Sequence, residues 1–337
     1  GMFDRIFMMG VSPVTLDDLS SGYNIDWNIS VDPRFNAMMG FDETEVREMF
    51  HYYQQNDMLN GDVEAMIAEM KPWYDNYCFA RKSLDDDRVF NCDMTLYYLR
   101  WQVDFHRAPE EMVDKNIRTD YSKLKMLARI DRDSVQEGDR MSTIEKIAAE
   151  GDIFVDLHTS FPAERITDID NFRSLLYYYG LLTMCGTRGD LIKMSIPNNC
   201  VREQYFGFLR DYYQKYSSID LHYLNVMLTD MAYDGRWKPF FESVAQAYRE
   251  NSAVRDAMEG ERNLQGFLKA YLALASYYLV EPELEMNYGY CDFFLLPDKK
   301  RYPYVKHSYI LELKYATRTA TDAELEVQAL EGRNQLL

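Results

Sequence analysis

The sequence predicts a helix-rich α+β chain, on three observations. Apolar residues recur at helical spacing through most of its length, without interruption from 199 to 251. Short runs rich in branched residues, Ile153–Leu157 and Leu191–Ile196, break the helices as strands. The C-terminal part then reads helix, strand, strand, strand, helix. With 337 residues, 47% hydrophobic and 27% charged, the chain is long enough for more than one domain and apolar enough to fold. Its 27 Tyr, 18 Phe and 19 Met predict aromatic-rich helix packing.

Charge and cysteine usage narrow the class. A formal net charge of −18 opposes generic, charge-driven nucleic-acid affinity, while leaving room for a local basic groove. The cysteines, Cys78, Cys92, Cys185, Cys200 and Cys291, are scattered, form no CxxC pair and read as reduced thiols. The five histidines show no zinc-ligand spacing. No apolar run reaches the ~18 residues of a membrane span, so the expected location is the cytoplasm.

In chain order, Phe3–Met9 reads as a strand, Gly10–Pro13 as a turn and Thr15–Ile25 as polar chain. Asp42 is placed to cap a helix, with Glu45 completing a capping box. A second helix is expected over Asp62–Met70, ended by Pro72, and Asn76 suits a left-handed turn. Helices follow over Met94–Phe105, Asp120–Ile130, Thr143–Glu150 and Phe172–Leu182, the last with Tyr177, Tyr178 and Tyr179 in succession. Beyond 199 come helices to Tyr216, over Leu221–Met231 and over Trp237–Arg249, a polar boundary at Asn251–Gly260, and a long helix Glu261–Leu279. Then come the run Glu281–Met286, two strands, Tyr288–Leu296 and Tyr309–Lys314, and a last helix from about Thr321.

Those two strands concentrate charge on an otherwise apolar sheet. Residues two apart on a strand share a face, so Glu312 and Lys314 point one way and Leu311 and Leu313 the other. Pairing of the strands would bring Asp292 to them. Two carboxylates and an ammonium at one point are costly unless a cation or substrate uses them. The plainer alternative is a surface ion pair between Glu312 and Lys314.

A helix carrying Glu261 and, one turn on, Gln265, followed by strands carrying Asp292 and Glu312-x-Lys314, resembles the pattern of the PD-(D/E)XK nuclease superfamily. Phosphodiester hydrolysis uses a hard cation to neutralise the scissile phosphate and acidify a water, and Mg²⁺ is content with two or three carboxylates. The resemblance implies Asp292 and Glu312 as ligands for Mg²⁺ or Mn²⁺, Glu261 as a further ligand or base, and Lys314 as the group orienting water and phosphate.

The chain as a whole resembles the bacterial family that joins an AAA-ATPase-like module to a C-terminal PD-(D/E)XK nuclease domain. Phe7–Pro13 with Leu19–Ile25 is similar to that family's late core strand and loop, and Phe41–Val46 to its next helix start. Trp73-Tyr74-Asp75-Asn76-Tyr77 is similar to its Trp-Tyr-Asp-Gly-Tyr signature, and Tyr179–Thr183 to its Gly-Tyr-Leu-Thr segment. The implied domains are a remnant of the ATPase-like core at 1–70, a helical and winged-helix-like region at 71–250, and a restriction-endonuclease-like α/β/α nuclease domain with a small mixed sheet at 251–337. Three departures limit this. No G-x-x-x-x-G-K-[ST] loop or Walker B acid is present, so ATP hydrolysis is not expected. Cys291, where the family favours glycine nearby, reads as a small buried hydrophobe. Gln335 fits a family glutamine of the last helix, but the sequence stops at Leu337, before the basic residue and tyrosine that usually follow, and the nuclease domain is expected to be short of that helix's end.

Other features have bland first readings. Tyr177–Tyr179 and Trp73–Tyr74 are expected to be packing groups, with base stacking as the sharper alternative for the tyrosines. Glu281, Glu283 and Glu285 read as an acidic strand edge, Lys299-Lys300-Arg301 as a hairpin tip or a phosphate contact, Asp85–Asp87 as an exposed loop, and His158 as structural. Two functions follow from different classes. One is metal-dependent hydrolysis of DNA. The other is a catalytically inactive nuclease-fold module that binds or regulates nucleic acid or a protein partner, including a second copy of the chain.

Overall fold

A computed structural model describes residues 10, 13–15, 28–86, 88–114, 121–128, 137–254, 261–286, 289–316 and 320–335. The expected strand Phe3–Met9 and most of the stretch Thr15–Ile25 lie outside these residues, as do Asp87, Asp120, Ile130 and Tyr288. The chain divides into two compact units, 1–147 with 151–204, and 148–150 with 205–337.

The first unit is built largely from helices. β1 (Val14–Thr15) pairs in parallel with a short strand at Phe161–Pro162, β3. Helices α1 (Glu43–Gln55), α2 (Val63–Tyr74) and α3 (Cys92–Phe105) surround a core of Val46, Phe50, Ile67, Met70, Tyr74, Phe90 and Tyr98. Local sequence sets their starts. Asp42 accepts from the Glu45 amide while Glu45 accepts from the Asp42 amide, which is the predicted capping box. Asp62 and Asn91 cap α2 and α3 in the same chemical way, and Asn76 takes the expected left-handed conformation with φ 86°.

Helix α2 runs four residues past the expected end at Met70, through Pro72. Pro72 gives up the one bond its N–H would make to the Ala68 carbonyl, and Tyr74, fully buried with its hydroxyl donating to the Met112 carbonyl, holds the extra turn in the core. The packing role expected of Tyr74 is therefore met.

Helices α4 (Tyr121–Ala128) and α5 (Glu137–Glu150) precede an antiparallel sheet ordered β2–β5–β4, from β2 (Asp152–Val155), β4 (Thr183–Arg188) and β5 (Leu191–Ser195). Between β3 and β4 stands α6 (Ile169–Tyr178). It ends before the expected Leu182, because Gly180 at φ 72° turns the chain so that buried Leu181 and Leu182 lead into β4. Arg140 is buried on this unit, donating to the Thr167 carbonyl and lying over the Phe172 ring. His158 is structural: its amide donates to Ser174 Oγ and its Nδ1 sits 2.5 Å from Asn171 Oδ1.

Helix α7 (Asn199–Tyr213) carries the chain into the second unit, where α8 (Leu221–Asp234) and α9 (Lys238–Val254) form the predicted helical run. Helix α10 (Glu261–Leu272) is shorter than expected. Its periodicity stops at Leu272, and the aromatic run beyond it turns into β6 (Tyr278–Met286), whose Tyr278 is buried. β7 (Gly289–Pro297) is the central strand and β8 (Tyr309–Leu311) the third, in the order β6–β7–β8. Every described pairing here is antiparallel, not mixed, because the connections are too short for a parallel crossover. The last helix, α11, spans Asp322–Gln335.

Burial alternates along β7. Cys291, Phe293 and Leu295 are buried, as expected for Cys291, while Asp292, Phe294 and Leu296 face the other way. Helices α8 and α10 cover the buried face: the Tyr309 hydroxyl donates to the Met231 carbonyl, and the Lys269 ammonium lies 5.6 Å from the Phe293 ring centre.

The capping box gives a direct test of the first unit. Asp42→Ala removes the acceptor for the Glu45 amide and is expected to destabilise the fold by about 1 kcal/mol in urea denaturation, with an unchanged m-value.

Candidate active site

The candidate site lies where β7, the end of β8, α10 and α11 meet in the second unit. Asp292 is fixed on both oxygens. Gln265 Nε2 donates to Oδ1 at 3.1 Å from α10, and the Leu313 amide donates to Oδ2 at 2.6 Å. The second bond matters because the ladder ends at Leu311, not at Lys314 as the sequence suggests. Past that point the backbone has no strand partner at Leu313 except the Asp292 carboxylate. Register does the rest: Phe293 faces Leu311 in the antiparallel ladder, which brings the residue before the one, Asp292, toward the residue after the other, Glu312.

Glu312 and Lys314 flank that amide. Lys314 Nζ lies 2.8 Å from Glu312 Oε1, and the carboxylate is only 7% exposed against 27% for the lysine. The Glu312 hydrogen bond, followed by the charges of Glu312, Glu261 and Asp292, holds the Lys314 ammonium above the ordinary lysine range. Lys314 thus feels all three carboxylates singled out in the sequence. Glu261 stands exposed at the start of α10, one turn before half-buried Gln265.

Helix α11 closes over these stems at Gly332, its one buried residue among those described. A Cβ at that position would fall 3.3 Å from Lys314 Cγ and 3.6 Å from Glu312 Cγ, so glycine permits the close approach. Sequence reasoning missed Gly332. Its signal was a lone glycine inside a helical pattern, a recognised mark of tight packing. Gln335, three residues on, is exposed at the end of the same helix.

The other candidates separate from this cluster. Lys299 is tied to the Val305 carbonyl and Arg301 lies 3.9 Å from Asp298, both within the stretch that joins β7 to β8. Glu281, Glu283 and Glu285 lie on β6, and their side chains fall outside the described residues. Asp85 and Asp86 are exposed in a turn. Among the described residues no group of three or more His, Cys, Asp or Glu side chains is closed up as a metal-binding cluster. The donor set at the site nevertheless suits a hard cation: it is all oxygen, and Mg²⁺ is commonly held by one or two carboxylates with water and phosphate completing its shell. No helix among the described residues is long and apolar enough to cross a membrane.

The raised Lys314 value has a definite sign. A lysine whose folded pKa exceeds its unfolded ~10.4 contributes stability in full below that value and loses it as pH rises through the folded pKa. Lysine-resolved NMR titration is expected to show Lys314 deprotonating later than exposed lysines, and Glu312→Gln should bring its midpoint back toward them.

Comparison with known proteins bears on this same stretch. No curated protein and no solved structure matches the chain. A family-model match starts at 259 and does not extend to the residues carrying the ATPase-like resemblance. Residues 259–336, which contain Glu261, Gln265, Asp292, Glu312, Lys314, Gly332 and Gln335, match the family model of the PD-(D/E)XK nuclease superfamily.

Proposed function

We propose that the C-terminal unit is a metal-dependent nuclease that hydrolyses DNA phosphodiester bonds. The observation that carries the reading is the joining of Asp292, Glu312 and Lys314 through the Leu313 amide and the Lys314–Glu312 ion pair, inside the stretch that matches a nuclease family. Asp292 and Glu312, with Glu261 as the third carboxylate, would hold Mg²⁺ or Mn²⁺. Such a cation neutralises the scissile phosphate and lowers the pKa of a water.

The chain's own groups fit distinct tasks. A carboxylate offers about four lone-pair sites, and Asp292 spends two on Gln265 and Leu313, which fixes its plane and leaves the others for a ligand. Lys314 stays protonated throughout the neutral range and can donate to the attacking water or to a phosphate oxygen. Glu312, nearly buried, keeps the lysine's position and shares its own second oxygen with the site. Gln335 would meet substrate from the end of α11. The residues before 251 enter this reading as an ATPase-derived module, cytoplasmic, that binds a protein partner or a second copy and does not itself hydrolyse ATP.

One observation favours the second class of function. The existing bonds of Asp292 and Glu312, without a closed carboxylate cluster among the described residues, also suit an inactive nuclease fold that only binds. Incubation of single-stranded and duplex DNA and RNA with the protein and Mg²⁺ or Mn²⁺ separates the two. Hydrolysis of DNA is expected, with Lys314→Ala slower by about 100-fold. Binding without cleavage under every condition would leave the non-catalytic module.

A further inference from the structure

The first unit contains a cleft of about 700 Å³, within the ~300–1,000 Å³ typical of small-ligand sites. Two sequence motifs without a part in the nuclease reading converge on it. Trp73 and Tyr77 come from the Trp-Tyr-Asp-Asn-Tyr segment, and Tyr177, Tyr178 and Tyr179 from the tyrosine run. Phe41, Phe79 and Phe90 add to the aromatic wall, and Met38 and Met39, 46% and 61% exposed, lie at its edge. Methionine suits a rim that adapts to a ligand's shape.

Polar groups in the lining are specific in kind. The first turns of α3 and α7 both border the cleft, through Asn91–Met94 and through Asn198, Cys200 and Val201. The Asn91 and Asn198 side chains each accept from an amide of their own helix, at Met94 and Val201. Buried Tyr77 lines the cleft together with both asparagines. Helix starts present amide donors and a partial positive charge, which suit acceptor atoms. Yet among the described residues no lysine or arginine lines the cleft, and the one charged lining residue among them is the acid Asp93. A full anion is therefore disfavoured. The Tyr178 hydroxyl, on a lining residue, is buried without a hydrogen-bond partner among the described residues.

We infer that this cleft binds an uncharged heteroaromatic ring of nucleobase or nucleoside size, stacked on the aromatic wall with its carbonyl or ring-nitrogen acceptors toward the helix starts. Stacking on aromatic side chains supplies affinity without charge. The same architecture predicts a penalty for phosphate, the opposite of a nucleotide site. The inference is independent of the nuclease reading, which concerns residues of the other unit.

Calorimetric or ligand-observed NMR titration of the full chain with adenosine, guanosine, cytidine, uridine and their 5′-monophosphates tests it. At least one nucleoside is expected to bind with Kd below ~1 mM, and its monophosphate at least tenfold more weakly, a difference of about 1.4 kcal/mol. Tyr179→Ala should weaken the nucleoside at least fivefold. Asp93→Lys, at an exposed position, should shrink the phosphate penalty. Failure of every nucleoside to saturate the native chain would overturn the inference. So would monophosphates that bind it as tightly as nucleosides, or an Asp93→Lys chain that is folded by circular dichroism and keeps the full penalty.

Discussion

One hydrogen bond organises the candidate site: the Leu313 amide donating to Asp292 Oδ2 at 2.6 Å. Strand pairing stops two residues earlier, and a backbone donor left in this partly buried place would cost about 1–3 kcal/mol. The Asp292 carboxylate takes the place of a strand. In doing so it ties the segment holding Glu312 and Lys314 to the central strand, with Gln265 bracing the carboxylate from the helix. The ion pair and the approach of Gly332 then fix the two flanking side chains. A structural bond and a candidate metal ligand are the same group, so the fold cannot lose one without loosening the other.

The neighbouring sheet explains why the cluster stays poised. Cys291, Phe293 and Leu295 are buried beneath helices, which anchors β7 and leaves the alternate face for Asp292. The Glu312 carboxylate is nearly buried and the Lys314 ammonium partly so, and a pair of this kind contributes little to stability once desolvation is counted.

Much of this was legible from local rules. The capping box at Asp42 and Glu45, the left-handed Asn76 and the alternation along β7 each depend on a few adjacent residues. Glu312-x-Lys314 announced a charge pair, and the pair forms. What sequence could not give depended on distant contacts. Helix α2 passes Pro72 because Tyr74 finds the Met112 carbonyl, and β8 stops at Leu311 because its continuation pairs with a side chain. The end of α10 at Leu272 follows from Tyr278 finding a place in the sheet. The cleft of the first unit was hidden for the same reason. Its two aromatic motifs are far apart in sequence and each, alone, reads as packing.

Manganese binding tests the central claim most directly, since Mn²⁺ reports on the site whether or not a suitable substrate has been found. Titration followed by electron paramagnetic resonance should reveal one Mn²⁺ site in the native chain, weakened at least tenfold in Asp292→Asn. Amide signals of Gln265 and Leu313 should broaden first as metal is added. Manganese bound equally well by native protein and Asp292→Asn, with no selective broadening at Gln265 or Leu313, would contradict the assignment of these carboxylates to a metal-dependent site.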